Sequence, residues 1–193
     1  MEPASQIKGL IMNYVRLAVL LATILFSTEK LFAGVAVEPY VNYAMGDWTQ
    51  AGTSAKKTGV EYGGRLGWDF GRVRVGGAFL SGALKDNASP ISNNITPQDI
   101  GAFVDGQFGS IVLRAQFNFA SQRTFVPSSG PTNTWKGTSI KAGFGVVLLP
   151  HLNLSLDYLI GNFDNLNGST ATNKLTTSSF GIGVSFPFTF GAM

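Results

Sequence analysis

The sequence predicts an all-β fold, an eight-stranded antiparallel up-and-down barrel. Three observations lead there. Apolar residues recur at every second position in eight segments. Short turns join alternate pairs of segments, and no charged residue falls on the apolar faces. A period of two is the strand period, and an even set of antiparallel strands closes without an open edge.

Composition narrows the class. The chain has 193 residues, enough for one domain with a real core. Only 13% are charged, about half the share in average soluble domains. With 45% hydrophobic residues, that excludes disorder. The absence of Cys excludes a disulfide scaffold, thiol catalysis and thiolate metal sites. A single His argues against a His-cluster metal site, so no cofactor is expected. The net charge of +3 is small and scattered, which speaks against nucleic acid as a partner.

The chain opens with an export signal. Lys8 and Arg16 precede the apolar run Leu17 to Phe26, and small residues follow at Ala33, Gly34 and Ala36. That order is the one a secretory signal peptide shows. The run is too short to span a bilayer as a helix. The expected organisation is a removed leader over residues 1–33, with Met12 as an alternative start, and a barrel over residues 34–193.

The strands follow in order. The first, Val35 to Met45, places Val35, Val37, Pro39, Val41, Tyr43 and Met45 on one face. The second, Val60 to Phe70, sets Val60, Tyr62, Leu66, Trp68 and Phe70 against Glu61, Arg65 and Asp69. The next five run Val73–Phe79, Ile100–Phe108, Ile111–Phe119, Ile140–Leu148 and Leu152–Ile160. The last, Phe180 to Phe190, alternates Phe180, Ile182, Val184, Phe186, Phe188 and Phe190 with small residues and Pro187. Gly71-Arg72 and Gly109-Ser110 suit type II′ hairpins, since Gly accepts the positive φ, and Pro150-His151 makes a third short turn. The polar stretches 46–58, 81–98, 121–136 and 161–174 read as long loops.

Charge placement decides which face lies inside. The faces opposite the aliphatics carry Glu38, Glu61, Arg65, Asp69, Arg74, Asp105, Arg114, Lys141 and Asp157. A soluble lipocalin-like barrel would turn these to water; a membrane barrel turns them into its lumen. A basic residue facing mid-bilayer lipid costs roughly 2–4 kcal/mol, which accounts for the strict exclusion. The charged faces are also rich in Gly, as a narrow lumen requires. The aromatics fall in two bands. Trp68, Phe70, Phe108, Phe186, Phe188 and Phe190 mark the rim with the short turns; Tyr43, Tyr62, Phe79, Phe117, Phe119, Tyr158 and Phe180 mark the other. Two aromatic girdles belong to membrane barrels.

With these features in place, the chain from Val35 to Phe190 resembles the small eight-stranded outer-membrane barrels, the OmpA transmembrane-domain and OmpX-like group. The resemblance implies an outer-membrane location in a Gram-negative-type bacterium, with periplasmic termini. It implies contact with outer-membrane lipid and lipopolysaccharide. It also implies that the final aromatic strand is read by the barrel-assembly machinery, although Gly191-Ala192-Met193 follow Phe190. It fixes no activity.

The expected function is non-enzymatic: a structural or surface-interaction role through four extracellular loops, toward a partner the sequence does not identify. Lys56, Lys57, Lys85, Arg123, Lys136 and Lys174 are expected in those loops, where they would meet lipopolysaccharide phosphates. A small pore is the alternative, although an eight-stranded interior is just wide enough to be filled by side chains. Phe103, Leu80 and Leu159 are expected to help fill it. A lipid-modifying enzyme of the outer leaflet is a third reading. The only His, His151, sits in a short turn at the wrong end for it. In the two tight hairpins, turn chemistry sets Asp69 opposite Arg74 and Asp105 opposite Arg114, and both are expected to form ion pairs.

Overall fold

The computed structural model describes residues 34–88 and 92–191. The expected leader, residues 1–33, lies outside the described residues. Eight long strands follow one another: β1 (Gly34–Gln50), β2 (Thr53–Asp69), β3 (Val73–Asp86), β4 (Asn93–Phe108), β5 (Ile111–Pro127), β6 (Asn133–Leu149), β7 (Leu152–Leu166) and β8 (Ser169–Ser185). A short ninth, β9 (Phe188–Phe190), continues the line of β8. Each long strand pairs antiparallel with the next, and β1 pairs with β2 on one side and with β8 and then β9 on the other. The sheet therefore closes on itself as a barrel.

Inside and outside follow the alternation. Val41, Leu66, Val104, Leu113, Ile140 and Leu156 face out and are exposed, whereas Glu38, Arg65, Asp105, Arg114, Lys141 and Asp157 face in and are buried. The outward aliphatics form the surface that lipid covers.

The tight turns fix the register. Gly71 (φ 83°) and Gly109 (φ 62°) take positive φ at the first central position, as type II′ requires. The Phe70 N–H donates to the Val73 carbonyl at 2.8 Å across the first of these turns. Asp69 then stands opposite Arg74, and Asp105 opposite Arg114.

The four long loops are corrected. The stretches 46–58, 81–98, 121–136 and 161–174 are mostly strand among the described residues; β3 runs on to Asp86 and β4 begins at Asn93, and the other three reversals fall at residues 51–52, 128–132 and 167–168. Ala51-Gly52 (φ 50° and 81°) and Asn167-Gly168 (φ 51° and 91°) have both central residues at positive φ, the mark of a type I′ hairpin. The strands continue because the alternation inverts. Above the aliphatic band, polar residues such as Lys56, Thr58, Lys85, Lys136 and Thr176 face out. The inward positions become apolar: Trp48, Ala55, Leu84, Ile95, Phe125, Trp135, Phe163 and Leu175 pack as one cluster. A stretch that is polar outside and apolar inside is still a strand.

The last strand is corrected too, because it is interrupted at Phe186-Pro187 between β8 and β9. Pro39 lies across the seam from that break. β1 pairs with β8 from Tyr40 upward and with β9 from Val37 downward, and the Pro39 carbonyl accepts from the Phe186 N–H at 2.9 Å. In an antiparallel ladder, a residue's N–H and C=O point to the same neighbour. The donor that Pro39 lacks would therefore face the point where the ladder is already broken. Both prolines sit at one irregularity near the short-turn end, consistent with their exclusion from regular ladders.

Valine at Gly168 would force a β-branched residue into left-handed backbone. Gly168→Val should cost about 1–2 kcal/mol, read as a lower urea midpoint for unfolding from detergent micelles.

Candidate functional site

The lumen is built from inward positions of all eight long strands. At the short-turn end, Glu38 on β1 is the centre. Its Oε1 accepts from Arg65 Nη1 on β2 at 3.0 Å and from Arg114 Nη2 on β5 at 2.9 Å. Its Oε2 accepts from Arg74 Nη1 on β3 at 2.8 Å. Asp105 on β4 completes the group, taking Arg114 Nε at 2.8 Å, Arg114 Nη2 at 2.9 Å and Arg74 Nη2 at 2.9 Å. Five strands are thus tied together by charge-assisted hydrogen bonds, the stronger class.

The expected Asp69–Arg74 ion pair does not form, although the two residues are in register. Asp69 stays at the open end, where it accepts from the Gly71 N–H at 2.7 Å and from Thr189 Oγ1 at 2.9 Å. Arg74 turns inward instead, because two buried carboxylates lie there. Cross-strand position fixes the neighbours, and burial decides which of them pair.

Midway up, Lys141 Nζ lies 3.5 Å from Asp157 Oδ2 and 5.2 Å from the centre of the Tyr40 ring. The Arg65 guanidinium lies over the same Tyr40 ring, 4.2 Å from its centre. Asn42 Nδ2 donates to Asp157 Oδ2 at 3.2 Å. Glu61 is buried here and makes no ion pair among the described residues. Phe103, Leu80 and Leu159 are buried between the polar groups. Gly183 has no room for a side chain, since a Cβ there would fall on the Val41 carbonyl and the Asn42 amide.

The upper lumen holds residues that the alternation did not reveal. Arg123 was expected in a loop but is buried, donating to both oxygens of Asp99 at 2.6 and 3.1 Å. Lys57 is likewise buried in the lumen rather than placed in a loop. It lies past Val60, the last lipid-facing aliphatic of β2, and burial with Arg123 nearby pushes its ammonium down to about 8. Asp86 accepts from Trp48 Nε1 at 2.8 Å, and Trp48 meets Phe125 edge to face with centroids 5.7 Å apart. Asp99 shares the odd-numbered inward positions of Phe103 and Asp105 on β4, so extending the alternation two steps would have found it. Arg123 was hidden by a bulge at Phe119-Ala120, where both residues face out and the inward parity of β5 changes from even to odd.

The expected aromatics lie on the outer wall. Trp68, Phe108, Phe186, Phe188 and Phe190 are exposed near the short-turn rim, with Phe70 partly exposed beside them. Tyr43, Tyr62, Phe79, Phe117, Phe119, Tyr158 and Phe180 are exposed further up. Lys56, Lys85, Lys136 and Lys174 also face out, above the aliphatic band. His151 is at the short-turn end, stacked on Phe188 with centroids 5.3 Å apart, and its Nδ1 lies 3.0 Å from the Pro187 carbonyl.

Three variants separate the roles of these acids. Asp105→Ala leaves Arg114 and Arg74 short of a buried counter-charge and should cost about 3–5 kcal/mol in urea unfolding. Asp105→Ala/Arg114→Ala should cost less than the two single changes combined. Asp69→Ala, at the wet rim, should cost less than about 1.5 kcal/mol, the scale of an ordinary hydrogen bond.

Comparison with known proteins agrees with this architecture. Ail, the attachment invasion locus protein of Yersinia pestis, solved with the heparin analogue sucrose octasulfate, superposes with a TM-score of 0.58 at 15% identity, over 80% of this chain and 99% of Ail. Neisserial surface protein A gives 0.56 at 19% identity, over 81% of this chain and 99% of that one. At these identities the likeness is one of fold. No curated protein sequence matches the chain. Residues 18–188 match the sequence family described as the outer membrane protein beta-barrel domain, and the chain belongs to that family.

Proposed function

We propose that this protein is a non-enzymatic surface protein of the outer membrane, a closed barrel that presents a rigid polar-coated end to the exterior. In this reading residues 1–33 are the removed export signal, and the termini and short turns face the periplasm. The terminal aromatic strand serves recognition by the barrel-assembly machinery. The two aromatic bands sit at the membrane interfaces, and the outward lysines meet anionic groups of lipopolysaccharide or of a surface partner. Ail's sulfated ligand is a precedent for an anionic partner on this fold.

The observation that carries the reading is the filled lumen. Arginine–carboxylate pairs occupy its lower part, Phe103, Leu80 and Leu159 its middle, and the Trp48–Trp135 cluster its upper end. A path for ions would need several of these groups to move at once. Against catalysis, the only imidazole is held against Phe188 and Pro187 at the short-turn end. Among the described residues its one hydrogen-bond partner is a backbone carbonyl, not a hydroxyl that it could activate.

Two measurements test this. Purified protein in planar bilayers should give no conductance steps above the bare membrane; regular steps would revive the pore. In intact cells, Ser129→Cys should react with a membrane-impermeant maleimide, because Ser129 is exposed in the turn between β5 and β6. Labelling only after lysis would reverse the orientation.

A further inference from the structure

The outer wall carries a groove of about 420 Å³ across β3 to β6. Register shifts converge on it, at Ile100/Gly101 between β4 and β5, at Asn118/Ser121 between β5 and β6, and at Lys136/Gly137 between β6 and β7. The bulge at Phe119-Ala120 turns two successive residues outward and breaks the even surface of the wall.

The groove has two chemically distinct rows. Gln98 stands opposite Gln122, and Gln122 opposite Lys136, so one polar row crosses three neighbouring strands at one height. The next outward row toward the short-turn end is apolar. Phe79 stands opposite Ile100, Ile100 opposite Ala120, and Phe119 lies beside them. Two residues along a strand separate the rows by ~7 Å. Gln122 Nε2 leans on Gln98 Oε1 at 3.4 Å, which leaves the Gln98 amide nitrogen directed elsewhere. Lys136 is exposed and makes no ion pair among the described residues. That includes Asp164, which flanks its β7 partner Asn165.

We propose that this groove seats one molecule of lipid A, the acylated and phosphorylated anchor of lipopolysaccharide. A phosphate lies on Lys136 beside the glutamine amides, and an acyl chain lies over Phe79, Ile100 and Phe119. Charge complementarity selects an anionic headgroup, and the groove continues directly into the lipid-facing band. The assignment to lipid A rests on the proposed orientation, which puts this end of the barrel in the outer leaflet. A bulge placed where the wall passes from aliphatic to polar gives a two-part ligand both of its surfaces.

Native mass spectrometry of the folded full chain, released from detergent in the presence of diphosphoryl lipid A, tests the site. The wild type should retain one lipid A. Lys136→Gln should weaken binding about tenfold through loss of a charged contact. Ala120→Phe, which adds a ring to the apolar row of the groove and leaves the Lys136 charge in place, should weaken it comparably. Lys174→Gln, on β8 and outside the groove, should bind as the wild type does. Heat-dependent gel mobility confirms that each variant is folded. Wild-type retention by both groove variants would overturn the proposal. So would an equal loss in Lys174→Gln, or equal competition by phosphatidylglycerol or inorganic phosphate. Because binding is read on purified protein, a reversed orientation would show in the Ser129→Cys labelling and not here.

Discussion

Hydrocarbon offers no partner to a peptide N–H or C=O, so every backbone group of a spanning strand must be satisfied by another strand. The rest of this structure depends on that constraint. It forces closure between β1 and β8. Closure with eight strands leaves an interior only wide enough for side chains. The charges excluded from the lipid face must share that narrow space, where an unmatched one is costly. The chain meets the cost by balance. Among the described residues, six buried acids (Glu38, Glu61, Asp86, Asp99, Asp105, Asp157) face six buried bases (Lys57, Arg65, Arg74, Arg114, Arg123, Lys141). Glu38 is the point where most strands meet, since it receives arginines from β2, β3 and β5.

Much of this was legible in the residues. Strand alternation between Val35 and Phe190, the Gly71 and Gly109 turns and the pairing of Asp105 with Arg114 all rest on local rules, and local rules can be read from sequence. The length of the strands was not legible in the same way. Stretches such as Gly161 to Lys174 look like loops because their outward residues are polar, yet they contain Asn167-Gly168, the strongest short hairpin signal. A reading that gave the turn dipeptide more weight than the Ser, Thr and Asn content would have found β7 and β8 at nearly full length.

The missed site residues have a different cause. Asp69 and Asp105 look equivalent in sequence, each opposite an arginine in a tight hairpin. Their fates differ because only Asp105 is shut away from water, and that follows from how five strands converge on Glu38. Arg123 was lost to a parity change at one bulge. Pairing partners in a lumen are set by depth and by third strands, and a single segment of sequence encodes neither.

The apolar cluster around Trp48, Phe125, Trp135 and Phe163 has a consequence for recognition. It gives this part of the barrel its own core, so among the described residues this end is ordered sheet, with two-residue reversals at 51–52 and 167–168. A partner that met it would find side chains already fixed on a β framework. Ordering flexible segments is a large part of the entropic cost of association. Here little of that cost would arise, so fewer contacts would suffice for a given affinity, and a partner of a different shape could not be accommodated by rearranging a loop.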